Sequence, residues 1–473
     1  MGKVSSVLNV ATRAMMNSQN ALQTVSHNIA SKDVEGYSRQ RVEFETTPAV
    51  HEGNVQYGTG SRTKTVTRIN NDYLEKQIQT ENSKLGTSKG RSENLLRVES
   101  IYNDQMRKGV NQFVTEFFNS FRELANSPDS QATRDLVKQT ANAVTEDFRR
   151  VSDQLKQVQH DVDIQLTAHT EEVNSMLREI AYLNGVIEHI EFTGAQANDE
   201  RDRRDQVLKE LGQKMNIRYS EGDSGKVNVL AGDNAIVVSG GEYAELSAVS
   251  SGERGDKREG NVDIVFKYNH TAPSVITDQI TGGEMGGAIE VRDRTINKLL
   301  DRMDKLAYEL ADNVNAAHRM GYNKYGKTQQ DFFNLKGSVR GSAERLALSD
   351  KVEKDVWSIS AAAAPEAPGD NRVANLISSL QNQKLMEKGT STFNDYYNGI
   401  VSEMAVGVRH ANQLVEHQSN IVEQLKNIRE NISGVNLDEE AVKMIEYQKA
   451  FDASARLIRT ADEMLDTVLN LRR

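Results

Sequence analysis

Apolar residues recur at alternating intervals of four and three residues near both ends of this chain of 473 residues. That spacing is the seam of a coiled-coil helix, and it fixes which face of each helix must be covered. The N-terminal seam consists of Val4, Leu8, Ala11, Met15, Leu22, Val25 and Ile29, with Ser18 in one slot. One C-terminal stripe consists of Ile400, Met404, Val408, Ala411, Val415, Val422, Leu425 and Ile432, and another, after Gly434, of Ile445, Phe451, Ala455, Ile458, Leu465 and Leu469. We therefore predict that the N- and C-terminal helices pair as a coiled-coil layer and also contact neighbouring copies.

The composition argues against several classes of protein. A net charge of -10 at pH 7, without a cluster of Lys and Arg, argues against a nucleic-acid partner. No apolar run approaches the ~20 residues that span a bilayer. The polar residues spread through the first 29 positions argue against a cleaved secretory signal. We predict that neither nucleic acid nor a membrane is a partner.

The periodicity divides the chain into three parts and predicts a mainly α fold with a small inserted β domain. Helical spacing in the first half predicts helices over Asn70–Tyr102, Val110–Ala125, Gln131–Phe192 and Ala197–Leu211, whereas short β-branched runs follow over Met215–Gln279. The predicted parts are a terminal coiled-coil domain with an extended, hairpin-containing arm (1–66 with 400–473), a long helical bundle (67–210 with 280–399) and a β insert (211–279). Arg345–Leu348 is a possible further strand.

The sequence contains no pattern that predicts catalysis, a cofactor or a metal. None of the nine histidines forms an HExxH pair or lies beside a GxSxG turn. Gly282–Gly287 lacks the Lys-Ser/Thr of a phosphate loop, so we interpret it as a flexible return into the helical part. Asp199–Asp205 places seven charges in a row, which predicts a surface ion-pair network. We predict that the chain is not an enzyme.

Motifs at both ends resemble those of a known family. Residues 20–40 read NALQTVSHNIASKDVEGYSRQ, in which Asn28-Ile29-Ala30 leads through a turn into Gly36-Tyr37. The other end carries 433–440, SGVNLDEE, followed by 447–451, YQKAF, and 460–465, TADEML. These segments are similar to the terminal motifs of the flagellar rod, hook and junction proteins, the axial protein family.

The middle of the chain narrows the resemblance to the hook–filament junction members of that family. Ile180–Glu191, Asp202–Leu211 and Pro368–Asn371 look like internal landmarks of those members, and hook and rod proteins are not expected to carry them. Ser31 and Glu35 depart from the family pattern, which usually has Asn and Pro there.

The terminal motifs suggest local roles. We expect Asn28 to cap the end of the first helix and Gly36 to adopt a left-handed turn. We expect Asp438, Glu439 and Glu440 to begin the last helix, where negative charge complements the helix dipole. The candidate assembly interface comprises Val4, Leu8, Met15, Leu22, Val25, Asn28, Ile29, Gly36, Tyr37, Leu425, Ile432, Ile445, Phe451, Ile458, Leu465 and Leu469.

The resemblance implies a structural protein of the extracellular bacterial flagellum, secreted by the flagellar type III apparatus without a cleaved signal peptide. It implies a junction layer that connects the hook to the filament. The implied partners are further copies of the chain, the hook protein, the second hook–filament junction protein and an export chaperone bound to the C-terminal helices. The alternatives are a hook or distal-rod subunit, the second junction protein or a flagellin, and an enzyme grafted into the β insert.

Overall fold

The computed structural model describes residues 2–52, 55–102, 108–222, 224–232, 234–251, 261–268, 271–335, 337–367 and 369–470. It confirms a mainly α fold with a small β insert. Pro368, from one of the internal landmarks, lies outside the described residues, and so does the side chain of Leu469.

The two ends of the chain pair with each other. Helix α1 (Gly2–Ala30) packs along helix α12 (Leu437–Asn470). On α12 buried or half-buried side chains again recur four and three residues apart, at Glu440, Met444, Tyr447, Phe451, Ser454, Ile458, Ala461 and Leu465, and Lys443 and Ala455 are half-buried beside them. This confirms the predicted pairing of the N- and C-terminal helices.

An extended arm follows α1. Strands β1 (Gln40–Thr46) and β4 (Ser61–Arg68) pair antiparallel, and the shorter β2 (Val50–Glu52) and β3 (Val55–Tyr57) pair between them. The amide of Asn17 donates to the carbonyl and hydroxyl oxygens of Ser61, both at 3.0 Å, so the arm lies along α1.

The helical domain surrounds one large apolar core. Its helices are α2 (Asp72–Ile101), α3 (Val110–Asn126), α4 (Gln131–Phe192), α5 (Asn198–Lys214), α6 (Gly283–Glu290), a π-helical turn (Val291–Ile296), α7 (Asn297–Arg319), α8 (Ser342–Arg345), α9 (Asp350–Lys354), α10 (Arg372–Ser379) and α11 (Phe393–Ser433). Phe117 is completely buried at its centre and packs against Phe118, Phe121, Phe332 and Phe333. Interlocking aromatic rings of this kind bury much apolar area and hold the helices in register.

Two antiparallel sheets form the insert. The first has the order β5 (Ile217–Glu221), β6 (Val227–Ala231), β7 (Ala235–Ser239), β8 (Glu242–Tyr243), and the second the order β11 (Ser274–Val275), β10 (Val262–Lys267), β9 (Glu245–Ser250). Arg292 is completely buried and anchors the second sheet, because its guanidinium donates to Asp163 of α4 at 2.6 Å and to the Val262 carbonyl at 2.7 Å.

The structure differs from the sequence expectation at three places. Helix α11 packs along α2, not along α1, because its apolar stripe joins the core of the helical domain. The glycine-rich 282–287 is not a flexible return: α6 starts at Gly283, and Gly287 lies so close to α2 that a Cβ there would stand 2.2 Å from the Thr87 carbonyl oxygen. Residues 345–348 form no strand, and only a single bridge joins Leu348 to Phe333.

Candidate assembly site where the chain ends meet

Asn28 joins the first helix, the arm and the last helix in one set of hydrogen bonds. Its amide nitrogen donates to the Gln40 carbonyl and to the Glu440 carboxylate, both at 2.9 Å. Its amide oxygen accepts from the Gln40 backbone N–H at 2.9 Å and from the Tyr37 hydroxyl at 2.8 Å. The expected helix cap is therefore wrong, because both ends of this buried amide are already engaged by residues outside the helix terminus.

The contact of α1, the arm and α12 through Asn28, Arg39 and Glu440 is called the joint below, and Glu440 is its central carboxylate. It is completely buried, and Arg39 Nε donates to its Oε1 at 2.8 Å. The backbone N–H of Arg39 donates to the Ser433 carbonyl at 2.8 Å, which ties the arm to the turn between α11 and α12. Glu439 also pairs with Arg39 at 2.8 Å but is more than half exposed. Glu440 thus does more than complement the helix dipole.

Gly36 and Arg429 form a second connection, from the arm to α11. Gly36 has φ +85°, the left-handed turn predicted for it. The Arg429 guanidinium donates to the Gly36 carbonyl at 2.7 Å and to the Tyr37 carbonyl at 3.1 Å, while its Nε donates to Glu75 of α2 at 2.9 Å. Lys209 of α5 pairs with the same carboxylate at 2.6 Å. Burial opposes ionisation of Glu75, but these two cations outweigh it and lower its pKa.

The charged run 199–205 is divided between the base of the arm and the predicted surface ion pairs: Asp202 and Asp205 bind the arm, whereas the exposed Arg203 pairs with Glu179 at 2.6 Å. The Asp202 carboxylate accepts from the Ser38 backbone N–H at 2.7 Å and from Arg68 at 2.8 Å. Arg68 also donates to Asp205 at 2.7 Å. Asp202 and Arg68 are both largely buried, so these ion pairs fix the base of the arm onto α5. Burial raises the pKa of Asp202 even though Arg68 and the Ser38 hydrogen bond oppose it.

Tyr37 lies at the centre of these carboxylates. Burial of the ring, then the charges of Asp199, Asp202 and Glu440, raise the pKa of its hydroxyl above the ordinary value. The hydroxyl therefore stays protonated and keeps donating to Asn28 across the physiological pH range.

The predicted interface residues occupy three kinds of position. Buried or half-buried are Val4, Leu8, Met15, Leu22, Val25, Asn28, Ile29, Gly36, Tyr37, Leu425, Phe451, Ile458 and Leu465. Ile432 and Ile445 are 42% and 55% exposed, because each lies one position beside the more buried residue of its helix, the buried Ser433 and the half-buried Met444. The side chain of Leu469 is outside the described residues.

Sequence reasoning missed Arg39, Arg429 and the structural role of Glu440. One pattern could have identified Glu440: it occupies a seam slot, four residues before Met444 and seven before Tyr447. A carboxylate in an apolar seam requires a partner, since a buried charge without one is strongly destabilising. Lys443, three residues further along α12, supplies one such cation at 3.3 Å, and Arg39 of the arm motif supplies the second at 2.8 Å.

The arrangement holds the arm, α1, α11 and α12 in place through buried hydrogen bonds and ion pairs. Among the described residues no group of three or more His, Cys, Asp or Glu side chains could hold a metal ion. Where the chain is described, no helix is long and apolar enough to cross a membrane. His318, the completely buried histidine, has both ring nitrogens engaged by the backbone, at Gln330 (2.7 Å) and Ser360 (2.9 Å).

Comparisons with known proteins agree with this architecture. A family model described as the flagellar hook-associated protein FlgK helical domain matches residues 95–333, just over half of the chain. A second, described as the flagellar basal body rod FlgEFG protein C-terminal, matches residues 430–471.

Whole-length relatives carry the same description. Flagellar hook-associated protein 1 of Bacillus subtilis (strain 168) is 29% identical over 494 residues, covering 98% of this chain and 97% of the relative. The protein of that name from Escherichia coli (strain K12) is 23% identical and covers 99% and 100%.

A solved structure supports the fold. The flagellar hook junction protein FlgK from Burkholderia pseudomallei superimposes with a TM-score of 0.69 at 14% identity, covering 76% of this chain and 100% of the other. The resemblance inferred from the terminal and internal motifs is thereby confirmed. The match over the helical domain, with relatives aligned from end to end, shows that this chain belongs to the flagellar hook-associated protein FlgK family.

Proposed function

We propose that this chain is a non-enzymatic structural subunit of the bacterial flagellum that forms the junction layer between hook and filament. The observation that carries the proposal is the packing of the first helix, α1, on the last helix, α12, with both helices fixed to the arm through Asn28 and Glu440. Relatives described as hook-associated protein 1 align with the chain over nearly its whole length, both ends included.

The layer would form by burying apolar side chains that the single chain leaves exposed on its terminal helices. On α12 these are Val442, Ile445, Leu457 and Met464, and on α1 they are Val7 and Met16, each about half exposed. Since each is already about half buried, covering the remaining half would contribute about half of the 1.5–3 kcal/mol of full burial, roughly 0.8–1.5 kcal/mol. The buried and half-buried residues of α1 and α12 hold these two helices together, whereas this outer face, which includes the predicted seam residue Ile445, would join one copy to the next.

We further propose the partners that the family implies: the hook protein below the layer and the second hook–filament junction protein above it. Before assembly a flagellar export chaperone would cover the C-terminal helices, and the type III apparatus would export the chain without signal cleavage. The exposed apolar face of α12 supports the chaperone proposal, because it needs a cover before assembly. Deletion of residues 434–473 should abolish chaperone binding by calorimetry, and unchanged affinity would refute this assignment.

One alternative has a specific observation in its favour. The rod-protein model matches residues 430–471, which is compatible with a hook or distal-rod subunit of the wider axial family. The hook-associated helical-domain match over residues 95–333 favours the junction.

Electron microscopy of purified protein mixed with isolated hooks tests the proposal. A single extra layer at the distal tip is expected of a junction protein. Long polymers would instead identify a hook or filament subunit, and bare hook tips would contradict the junction role.

A further inference from the structure

An aromatic strip without an intramolecular role lies on the outer face of α4. It comprises Tyr182, Gly185, His189 and Phe192, spaced three, four and three residues apart, so that all four share one helix face. Tyr182 is 70% exposed and Phe192 is 91% exposed. Isolated exposed apolar residues are ordinary, but here two exposed aromatic side chains share one helix face about 15 Å apart, with Gly185 and His189 between them.

Gly185 has no reason to be glycine within the single chain. It lies inside a continuous helix, where glycine is the least favourable residue apart from proline. A Cβ added there would meet no atom within 4 Å. The neighbouring Asn184 is completely buried and donates to the Val227 and Gly240 carbonyls at 2.8 Å, so the backbone is firmly held at this point. The surface of α4 at Gly185 is therefore open to close approach by another molecule.

The charges around the strip are already paired within the chain. Glu179 pairs with Arg203 at 2.6 Å, Glu188 with Lys226 at 2.5 Å and Glu191 with Arg201 at 2.6 Å. The strip is therefore bordered by closed ion pairs and suits an uncharged, apolar counterpart.

We propose that this strip is the lateral contact of the helical domain with a second copy of the chain. The inference rests on the proposed function, since it names the surface by which neighbours in the layer touch. In a closed ring the contacts are head-to-tail, so the strip of each copy would pack against a different surface of the next copy.

The size of the strip favours a second copy over an independent soluble partner. Two aromatic side chains bury about 150–250 Å² each, well below the roughly 800 Å² per partner of a stable complex. Such a contact does not hold a free dimer together. It becomes effective when the terminal helices already fix two copies side by side, because tethering raises the local concentration of the second surface.

Cross-linking in the assembled layer tests which molecule lies on the strip. The chain has no cysteine, so Tyr182→Cys provides a single attachment point for benzophenone maleimide. After assembly on isolated hooks and irradiation, we expect an adduct at twice the chain mass of 52.7 kDa. An adduct to the hook protein instead, or no adduct in a fully formed layer, would overturn the inference.

A second pair of variants tests the glycine. Gly185→Gln should leave the thermal unfolding midpoint unchanged or raised, and reduce the hook-bound fraction at limiting protein by about tenfold or more. Ala168→Gln is the matched control, an exposed position on the same helix roughly 25 Å away, and should bind as the wild type does. Normal binding of Gly185→Gln would contradict the proposal.

The two proposals fail in different ways. If the wild type forms no layer on hooks, both are overturned. If it forms a layer while Tyr182→Cys yields no dimeric adduct and Gly185→Gln binds normally, only the strip is overturned and the junction role stands.

Discussion

Glu440 shows how one side chain can determine whether the last helix stays docked. It is completely buried, and both of its oxygens are engaged, by Asn28 at 2.9 Å and by Arg39 at 2.8 Å. Its neighbour Glu439 contacts the same Arg39 from an exposed position. The two carboxylates therefore share a partner and differ in burial.

Truncation of these two residues should have unequal effects. Glu440→Ala leaves Arg39 and Asn28 without their buried partner, and it should weaken docking of α12 by about 3–5 kcal/mol. Glu439→Ala removes an exposed pair and should cost less than about 1 kcal/mol. Native-state hydrogen exchange of the α12 amides measures both, and equal protection in the two variants would contradict the assigned role of burial.

The charge of His318 should couple stability to pH between about 4 and 6.5. Burial lowers its pKa to about 4. Its Nδ1–H donates to the Gln330 carbonyl and its Nε2 accepts from the Ser360 N–H, which requires the neutral ring. A second proton, on Nε2, would point at the Ser360 N–H, and this hydrogen bond would be lost.

The sign of the pH dependence follows from this depressed pKa. Between about pH 6.5 and 4 the unfolded chain binds a proton that the folded chain does not, so stability is complete above pH 6.5 and falls as the pH is lowered. The loss should reach about 2 kcal/mol at pH 5. We expect the free energy of unfolding of His318→Gln to lie below that of the wild type at pH 7 and to approach it at pH 5, by urea denaturation. A gap that stays constant with pH would show that His318 does not titrate as described.

Helix α2 illustrates how glycine can serve packing at the scale of an element. A Cβ on Gly90 would stand 2.3 Å from the Glu284 carbonyl oxygen of α6, whereas one on Gly185 of α4 would meet nothing within 4 Å. Gly90→Ala should therefore lower the unfolding midpoint despite alanine's better helix propensity, because the two helices must separate. Gly185→Ala should raise stability by up to about 1 kcal/mol. Calorimetry of both variants separates these effects, and a stabilised Gly90→Ala would disprove the close approach.

The elements that could be predicted are those that repeat a local pattern. Helix α4 was predicted from Gln131 to Phe192 and has those bounds, because its spacing persists over many turns. Gly287 of α6 could not be assigned to packing, since its partner on α2, Thr87, is two hundred residues away in the chain. The joint was missed for the same reason: Asn28 and Glu440 are brought together only by the fold. Periodicity reveals which face of a helix is covered, and not which helix covers it.

The pair of terminal helices, α1 and α12, is packed separately from the main apolar core of the molecule. The continuous core of the helical domain and insert includes residues from Leu95 to Ala411 and none from α1 or α12. Helix α11 contributes to this core, so the predicted grouping of residues 400–433 with the terminal coiled coil differs from the packing observed. The terminal pair is joined to the remainder mainly through the arm and the buried polar joint.

This separation predicts that assembly can be disrupted without unfolding the helical domain. Leu22 is half-buried on the seam of α1, whereas the adjacent Gln23 is exposed. Leu22→Asp places a carboxylate in the apolar seam, which should separate α1 from α12 and abolish incorporation at hook tips. The main unfolding transition should be unchanged, because the core of that domain contains no α1 residue.

Gln23→Asp adds the same charge on the solvent side of α1 and should assemble normally. Circular dichroism melting and electron microscopy of hook tips distinguish the two variants. Incorporation of Leu22→Asp at the wild-type level would mean that the seam is dispensable for the layer. A lowered melting temperature would mean instead that the α1–α12 pair contributes to the stability of the helical domain.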